Sequence, residues 1–209
     1  NYDTSISGGS IIAGIGFISG VRCLVFVDDS GINAGALTAK SIDKALGCLN
    51  ISLRQKLPFI HLVESSGINL MNYTVEFWSN TGGMFYGLAK LSAAGIPTIA
   101  VLHGLSTAGG AYQPGMSDYV IGVKKNGMAA LAGPALLKAA TGEIALNEEL
   151  GGSEMHARVT GLVEYLADDD EHALRIVRDL IDKIDWNTKI LKRQPILYEE
   201  PIYDTEELI

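Results

Sequence analysis

The sequence predicts an α/β fold built on a mostly parallel sheet. Short apolar runs alternate with segments of helical period along most of the chain. Loops rich in glycine and small residues separate them at SGINAG (30–35), ESSGINL (64–70) and HGLSTAGGAY (103–112). With 47% hydrophobic residues over 209 positions, the chain can bury a full core. That content excludes a disordered chain.

Taken in order, residues 10–29 hold two β-rich runs, Ile11 to Ile18 and Cys23 to Val27. Gly20-Val21-Arg22 is the expected short connection of a hairpin. From Ala36 to Lys56 the apolar positions Leu37, Ile42, Ala45, Leu46, Leu49 and Leu53 follow helical spacing, and Pro58 ends that helix. Phe59–Val63 reads as a buried strand. Val75 to Ala94 can form a second helix, with Gly82-Gly83 weakening its middle. Ile96-Pro97 leads into a strand over Thr98–Leu102. Strands are expected again at Asp118–Val123 and Met128–Leu131, and a helix starts at Pro134 and runs to Ala140. Asp170–Ile184 is the clearest amphipathic helix, with Ala173, Ile176, Val177, Leu180 and Ile184 on one side and acids at its start. No repeat is strict enough for a solenoid. Residues 190–209 carry Pro195, Pro201 and several acids without a period, and read as a linker or docking strap. The first residue is Asn1, so processing or a longer parent chain is expected.

Composition narrows the function classes. A net charge of -8, from 16 basic and 24 acidic residues, argues against a nucleic-acid partner. No apolar run is long enough to span a bilayer. Cys23 and Cys48 cannot build a disulfide framework or a four-thiolate zinc site, and read as reduced thiols. His61, His103, His156 and His172 show no metal-ligand spacing, so no metal site is expected. His61 reads as a hydrogen-bonded core or loop-end histidine and His172 as a solvated one. His103, at the start of a small-residue loop, is the one nearest plausible chemistry. Gly14, Gly16 and Gly20 lie inside a β segment followed by another strand, so they do not make a dinucleotide loop. Glycines in a twisted strand are the plainer reading.

SSGINL (65–70) and STAGGAY (106–112) each follow an apolar strand and precede a helix. Without bulky side chains, backbone N–H groups can approach a ligand closely. Two such groups converging from two loops would form an oxyanion hole, where one donor is worth roughly 3 kcal/mol of transition-state stabilisation. For a single loop, glycine as a packing device is the better explanation; two such units in succession favour function.

Four blocks carry a family resemblance: LVESSGINLM (62–71), LSAAGIPTIAVLHGLSTAGGAYQPGMSDYVI (91–121), LAGPALLKAATGE (131–143) and ELGGSEMHARVTGLVEYLA (149–167). In this order they resemble the carboxyltransferase β subunits of biotin-dependent acyl-CoA carboxylases, in the crotonase/ClpP-like superfamily. The resemblance implies a spiral of ββα units with outer helices. It implies carboxyl transfer from carboxybiotin, borne on a carrier protein or domain, to the α-carbon of an acyl-CoA. The enolate oxygen would be held by Gly109 and Gly110 with Ala108 beside them, and Gly67 and Ile68 would form the opposite wall. Ser66, Ser106, Thr107, Ala36, Gly133 and Pro134 are expected to line the substrate. Lys40 and Lys44 are candidates for the CoA phosphates, although two lysines on one helix are more often a solvated face. Biotin itself is thought to take the proton, in keeping with the lack of an obvious side-chain base.

The chain departs from the family at Glu64-Ser65-Ser66-Gly67-Ile68, where a DSGGA-like loop is usual, and at Asn33-Ala34-Gly35, where Gly-Gly is usual. The resemblance further implies that 1–189 is an N-terminal acyl-CoA-binding domain and 190–209 a linker toward a C-terminal domain. It implies a biotin carboxylase or carrier partner, a dimer or hexamer of subunits, and a cytoplasmic or mitochondrial-matrix location.

Four rival readings remain. A ClpP-like serine protease would need its serine at Ala108 and its histidine near Gly133, and Ser106 lacks an evident base. An enoyl-CoA hydratase or isomerase would need a glutamate where AGPALLKA stands, and none comes before Glu143. A biotin-dependent decarboxylase would share the same site residues. A CoA-binding domain without catalysis is the fourth. On the transferase reading, Gly110→Val is expected to abolish transfer while leaving the fold largely intact.

Overall fold

The structure is a computed structural model that describes residues 9–68 and 74–189. Strand β1 (Ile11–Ile18) turns into β2 (Val21–Asp28), antiparallel and in register from Ile11–Asp28 to Ile18–Val21. The connection is therefore Ser19-Gly20, not Gly20 to Arg22. Both residues have positive φ, 47° and 76°, as a two-residue type I′ turn requires. That turn leaves Val21 and Arg22 free to continue the ladder.

Beyond β2 the chain builds a parallel sheet, with β3 (Phe59–Val63), β4 (Thr98–Leu102), β6 (Tyr119–Val123) and β8 (Tyr165–Ala167) in the order β1-β2-β3-β4-β6-β8. A separate parallel pair, β5 (Leu105–Thr107) and β7 (Met128–Ala130), stands outside that sheet. The fold is thus the α/β, parallel-rich arrangement that the alternating pattern predicts. The stretch 103–112, expected as one loop, contains β5. Asp118, expected within β6, lies one residue before it. Its Oδ2 accepts from the amide and hydroxyl of Thr98, both at 2.8 Å, and so ties the starts of β4 and β6 together.

Helix α1 (Ala39–Gln55) begins three residues later than its apolar spacing suggests. Ala36 is extended, and the Thr38 side chain caps the helix by accepting from the Ser41 amide at 3.2 Å. Helix α2 (Val75–Ala93) is capped the same way by Thr74. Its glycines do not break it. A Cβ on Gly83 would sit 3.0 Å from Leu46 Cδ2, and one on Gly87 2.8 Å from Leu49 Cδ1. The missing side chains let α1 press its leucines into α2.

Helices α3 (Gly109–Gly115) and α4 (Pro134–Thr141) follow β5 and β7. The sequence pattern does not reveal the short α5 (Asn147–Gly151), α6 (Ser153–Met155), the π-helical turn His156–Thr160 or β8. Helix α7 (Asp170–Ile184) matches its predicted span and is capped by Asp169. A final turn, α8 (Trp186–Lys189), follows it.

The core runs from Leu24 and Phe26 through Ile60, Ile99 and Ile121, and is closed by Ala173, Val177 and Ile181 of α7. His61 is buried among aromatic rings and pairs with buried Asp28, Nε2 to Oδ2 at 3.1 Å, as the hydrogen-bonded core role predicts. The expected linker over 190–209, and Asn69 and Leu70 of the second loop, lie outside the described residues. No helix among the described residues is long and apolar enough to cross a membrane.

Candidate active site

Three loops meet at the carboxyl side of the sheet, where open α/β sheets place their ligands. They follow β2 (33–37), β3 (64–68) and β5 (108–110). Ser65 joins them. It is buried, its Oγ donates to Gly35 O at 2.8 Å, and its carbonyl accepts the Thr107 amide at 2.9 Å. Further bonds from Ser66 N to Ala34 O (3.1 Å) and from Leu37 N to Gly67 O (2.7 Å) complete the lacing. Asp28 Oδ2, besides meeting His61, accepts the Glu64 amide at 3.1 Å and so anchors the start of the second loop.

The glycines here have specific reasons. A Cβ on Gly35 would lie 2.2 Å from Glu64 O. Gly67 has φ 81° and its missing Cβ faces Thr107 O at 3.0 Å, Ala108 Cβ at 3.4 Å and Gly109 N at 3.5 Å. The predicted partners Gly67, Thr107, Ala108 and Gly109 are thus brought together.

Ala108 holds φ 50° and ψ -116°, a strained conformation for a residue with a Cβ. Its amide donates to Ala130 O of β7 at 3.0 Å. The amides of Gly109 and Gly110 open α3, where a helix leaves its N–H groups without internal partners. Among the described residues, neither makes a hydrogen bond. The Gly67 amide is already used, donating to Ser65 Oγ at 3.2 Å, whereas the Ile68 amide has no hydrogen-bond partner among the described residues. Helix α3 spans 7 residues, so the donors here are individual N–H groups more than a macrodipole.

Beside these loops lies an open groove of about 740 Å³, lined among others by Ala36, Leu37, Thr38, Ser66, Ile68 and Phe77. Among the described residues, none of those lining it is a carboxylate, imidazole or amine. Lys40 is exposed in the first turn of α1, close in sequence to the groove residue Thr38. Lys44 is turned to another task, its Nζ donating to Ile11 O at 2.7 Å. Gly133 and Pro134 form the N-cap and first residue of α4, three residues beyond β7.

Two expectations change. Ser106 is wholly buried, its Oγ without a hydrogen-bond partner, because the alternation of β5 turns it inward. It offers the groove no hydroxyl. Gly110 is also buried, and a Cβ there would meet Ser65 O at 2.6 Å and Ser65 Cβ at 3.0 Å. Gly110→Val would therefore drive two loops apart before it filled any ligand space, so an intact fold is not expected.

The sequence reading also misses the support beneath the loops. Ser65 stands inside a motif it singles out, but only the fold shows which carbonyls its hydroxyl reaches. His103 Nε2 is buried without a hydrogen-bond partner among the described residues. No cluster of three or more potential metal ligands exists among the described residues. The thiols are inert: burial pushes Cys23 up to about 12 and raises Cys48 as well. Lys124, hydrogen-bonded to Asp168, holds that exposed carboxyl below its ordinary value, far from the groove loops in sequence.

Stacked strand–strand–helix units, with uncommitted backbone donors at the loop ends and no charged group among the described residues lining the groove, define an α/β domain suited to holding a polarised carbonyl. The chain belongs to the carboxyl transferase domain family, which matches residues 1–209. It is 44% identical over 202 residues to a probable biotin-dependent acyl-coenzyme A carboxylase beta2 subunit of Mycobacterium tuberculosis, covering 97% of this chain and 38% of that protein. It is 39% identical over 220 residues to a probable mitochondrial methylcrotonoyl-CoA carboxylase beta chain of Drosophila melanogaster, covering 97% of this chain and 38% of the relative. Among solved structures, the geranyl-CoA carboxylase beta subunit of P. aeruginosa superposes with a TM-score of 0.83 at 46% identity, covering 96% of this chain and 37% of that one. The chain spans less than two fifths of the length of these relatives.

Proposed function

We propose that this domain is the acyl-CoA-binding half of a carboxyltransferase in a biotin-dependent acyl-CoA carboxylase. The observation that carries the reading is the pair of uncommitted amides at Gly109 and Gly110, set after strained Ala108 and against Gly67. Loss of the α-proton puts negative charge on a thioester oxygen. Fixed N–H donors in a site of low dielectric stabilise that charge most where it develops. The uncommitted Ile68 amide is the natural donor from the opposite wall, with Gly67 lying close so that the walls can meet. Carboxybiotin, delivered by a carrier, supplies the carboxyl group and the base. That fits a groove whose described lining residues include no titratable side chain. Ala36, Leu37, Ser66 and Phe77 would border the acyl-CoA, with exposed Lys40 a candidate cation for its phosphates.

On this reading residues 1–189 form the acyl-CoA domain and 190–209 lead to a second domain. The partners are a biotin carboxylase, a biotin carrier and further copies of the subunit in a dimer or hexamer, in the cytoplasm or the mitochondrial matrix. The matrix alternative is supported by the mitochondrial Drosophila melanogaster relative. The full-length protein, mixed with its biotin carboxylase partner, ATP and labelled bicarbonate, is expected to fix label onto an acyl-CoA from a panel of propionyl-, 3-methylcrotonyl- and geranyl-CoA. Binding of these thioesters with no label fixed on any would overturn the assignment. Label released from a carboxylated acyl-CoA but never fixed would reassign the protein to the decarboxylases.

A further inference from the structure

Strained Ala108 is held from behind. Its amide donates to Ala130 O, so the attitude of β7 fixes the backbone that aims the next two amides. Strand β7 is in turn gripped by residues 151–160. His156 Nε2 lies 2.7 Å from Ala129 O. A carbonyl can only accept, so Nε2 carries the proton and donates. His156 Nδ1 lies 2.8 Å from Thr160 Oγ1. The Thr160 oxygen also accepts the Leu162 amide at 3.2 Å, and its proton lies within reach of both Nδ1, at 2.8 Å, and the His156 carbonyl, at 3.3 Å. These two residues face each other because His156–Thr160 is a π-helical turn, closed by Gly161 N to His156 O at 2.8 Å. The Ala129 carbonyl is packed on another side by Gly151, where a Cβ would come within 2.3 Å of that oxygen.

We propose that His156 is a positioning residue for the Gly109 and Gly110 amides. It holds the Ala129 carbonyl and so the attitude of β7; the next carbonyl of that strand, Ala130 O, holds the Ala108 amide, and the ψ of Ala108 sets the direction of the Gly109 N–H. Oxyanion donors work over a narrow range of distance. A small rotation at Ala108 would therefore weaken transition-state binding while leaving the groove that binds CoA unchanged. The part of this inference that concerns catalysis rests on the proposed function; the part that concerns the backbone at 108–110 does not.

The test uses the full-length protein with its biotin-bearing partner. His156→Leu removes the donor, His156→Gln keeps an N–H that can reach Ala129 O, and Thr160→Val removes the partner that fixes the ring tautomer. With the best acyl-CoA of the panel, His156→Leu is expected to lower kcat at least tenfold with KM within twofold. His156→Gln should stay within threefold of wild type, and Thr160→Val should lose two- to fivefold in kcat. Hydrogen exchange of the peptide spanning 105–112 should speed up at least tenfold in His156→Leu and stay near wild type in His156→Gln. An unchanged kcat in His156→Leu, equal losses in the Leu and Gln variants, or unchanged exchange would each overturn the inference. Should His156→Leu fail to fold, wild-type kcat in Thr160→Val would overturn it. A wild-type protein that transfers no carboxyl group would sink the proposed function alone, and the exchange comparison would still decide the role of His156.

Discussion

At Gly110 there is no room for a methyl group, and at Gly109 there is. A Cβ on Gly110 would contact Ser65 O at 2.6 Å, whereas one on Gly109 would meet nothing within 4 Å. Gly110→Ala is therefore expected to destabilise the intact protein by about 1–3 kcal/mol, as overpacking does. Gly109→Ala should stay within about 0.5 kcal/mol of wild type. Urea unfolding of the two variants checks this, and equal stability would show that the loops are not packed as described. The contrast marks the limit of reading residues from sequence. AGGA shows two glycines in one small-residue loop, but not that one faces open space and the other a buried carbonyl. The same holds for Ser106, whose place in a motif suggests contact while three residues of strand turn it inward. His61 was legible, because an imidazole within an apolar strand needs a buried partner, which Asp28 provides.

Among the elements, those with a full period of side chains were legible. The strands β1, β3 and β4 and the helix α7 fall where their alternation or helical spacing puts them. Strands β5 and β8 have only 3 residues each, too few for a pattern to stand out from a loop, whereas the equally short β7 falls within the expected Met128–Leu131 run. Their register comes from neighbours distant in sequence, which no local signal carries. The β1–β2 turn is a case where local chemistry did decide the structure, although Val21 and Arg22 belong to the strand and not to the turn. Gly20 sits at φ 76° with open space around it, so the conformation alone opposes a side chain. Gly20→Ala should destabilise the protein by about 1–2 kcal/mol. A denaturation midpoint equal to wild type would mean that the turn does not keep its left-handed geometry.

On the scale of the whole molecule, the last helices close over the first hairpin. Ser19 Oγ donates to Arg178 O, Asn187 Nδ2 donates to Gly20 O, and Trp186 Nε1 donates to Lys56 O at 2.8 Å. Trp186 is 8% exposed and fills the space between α7 and the end of α1. Trp186→Ala should destabilise the protein by about 3–5 kcal/mol through the cavity it leaves. A loss under 1 kcal/mol in calorimetry or urea unfolding would show that this closure is not part of the core. The overall class was legible because alternation of apolar strands and helices is a global pattern, whereas the closure joins residues that share no local motif.

That closure also sets a schedule. The hairpin leaves the ribosome well before its closure can form, since Ser19 and Gly20 find their partners at Arg178 and Asn187, 159 and 167 residues later. At 5–20 residues per second, synthesis takes on the order of ten to thirty seconds to supply them. Through that interval β1 is an outer strand with Ile12 and Phe17 on show, 63% and 77% exposed even in the finished fold. Until those partners arrive the hairpin carries a sticky, uncovered edge, and any demand for a chaperone during synthesis falls on it.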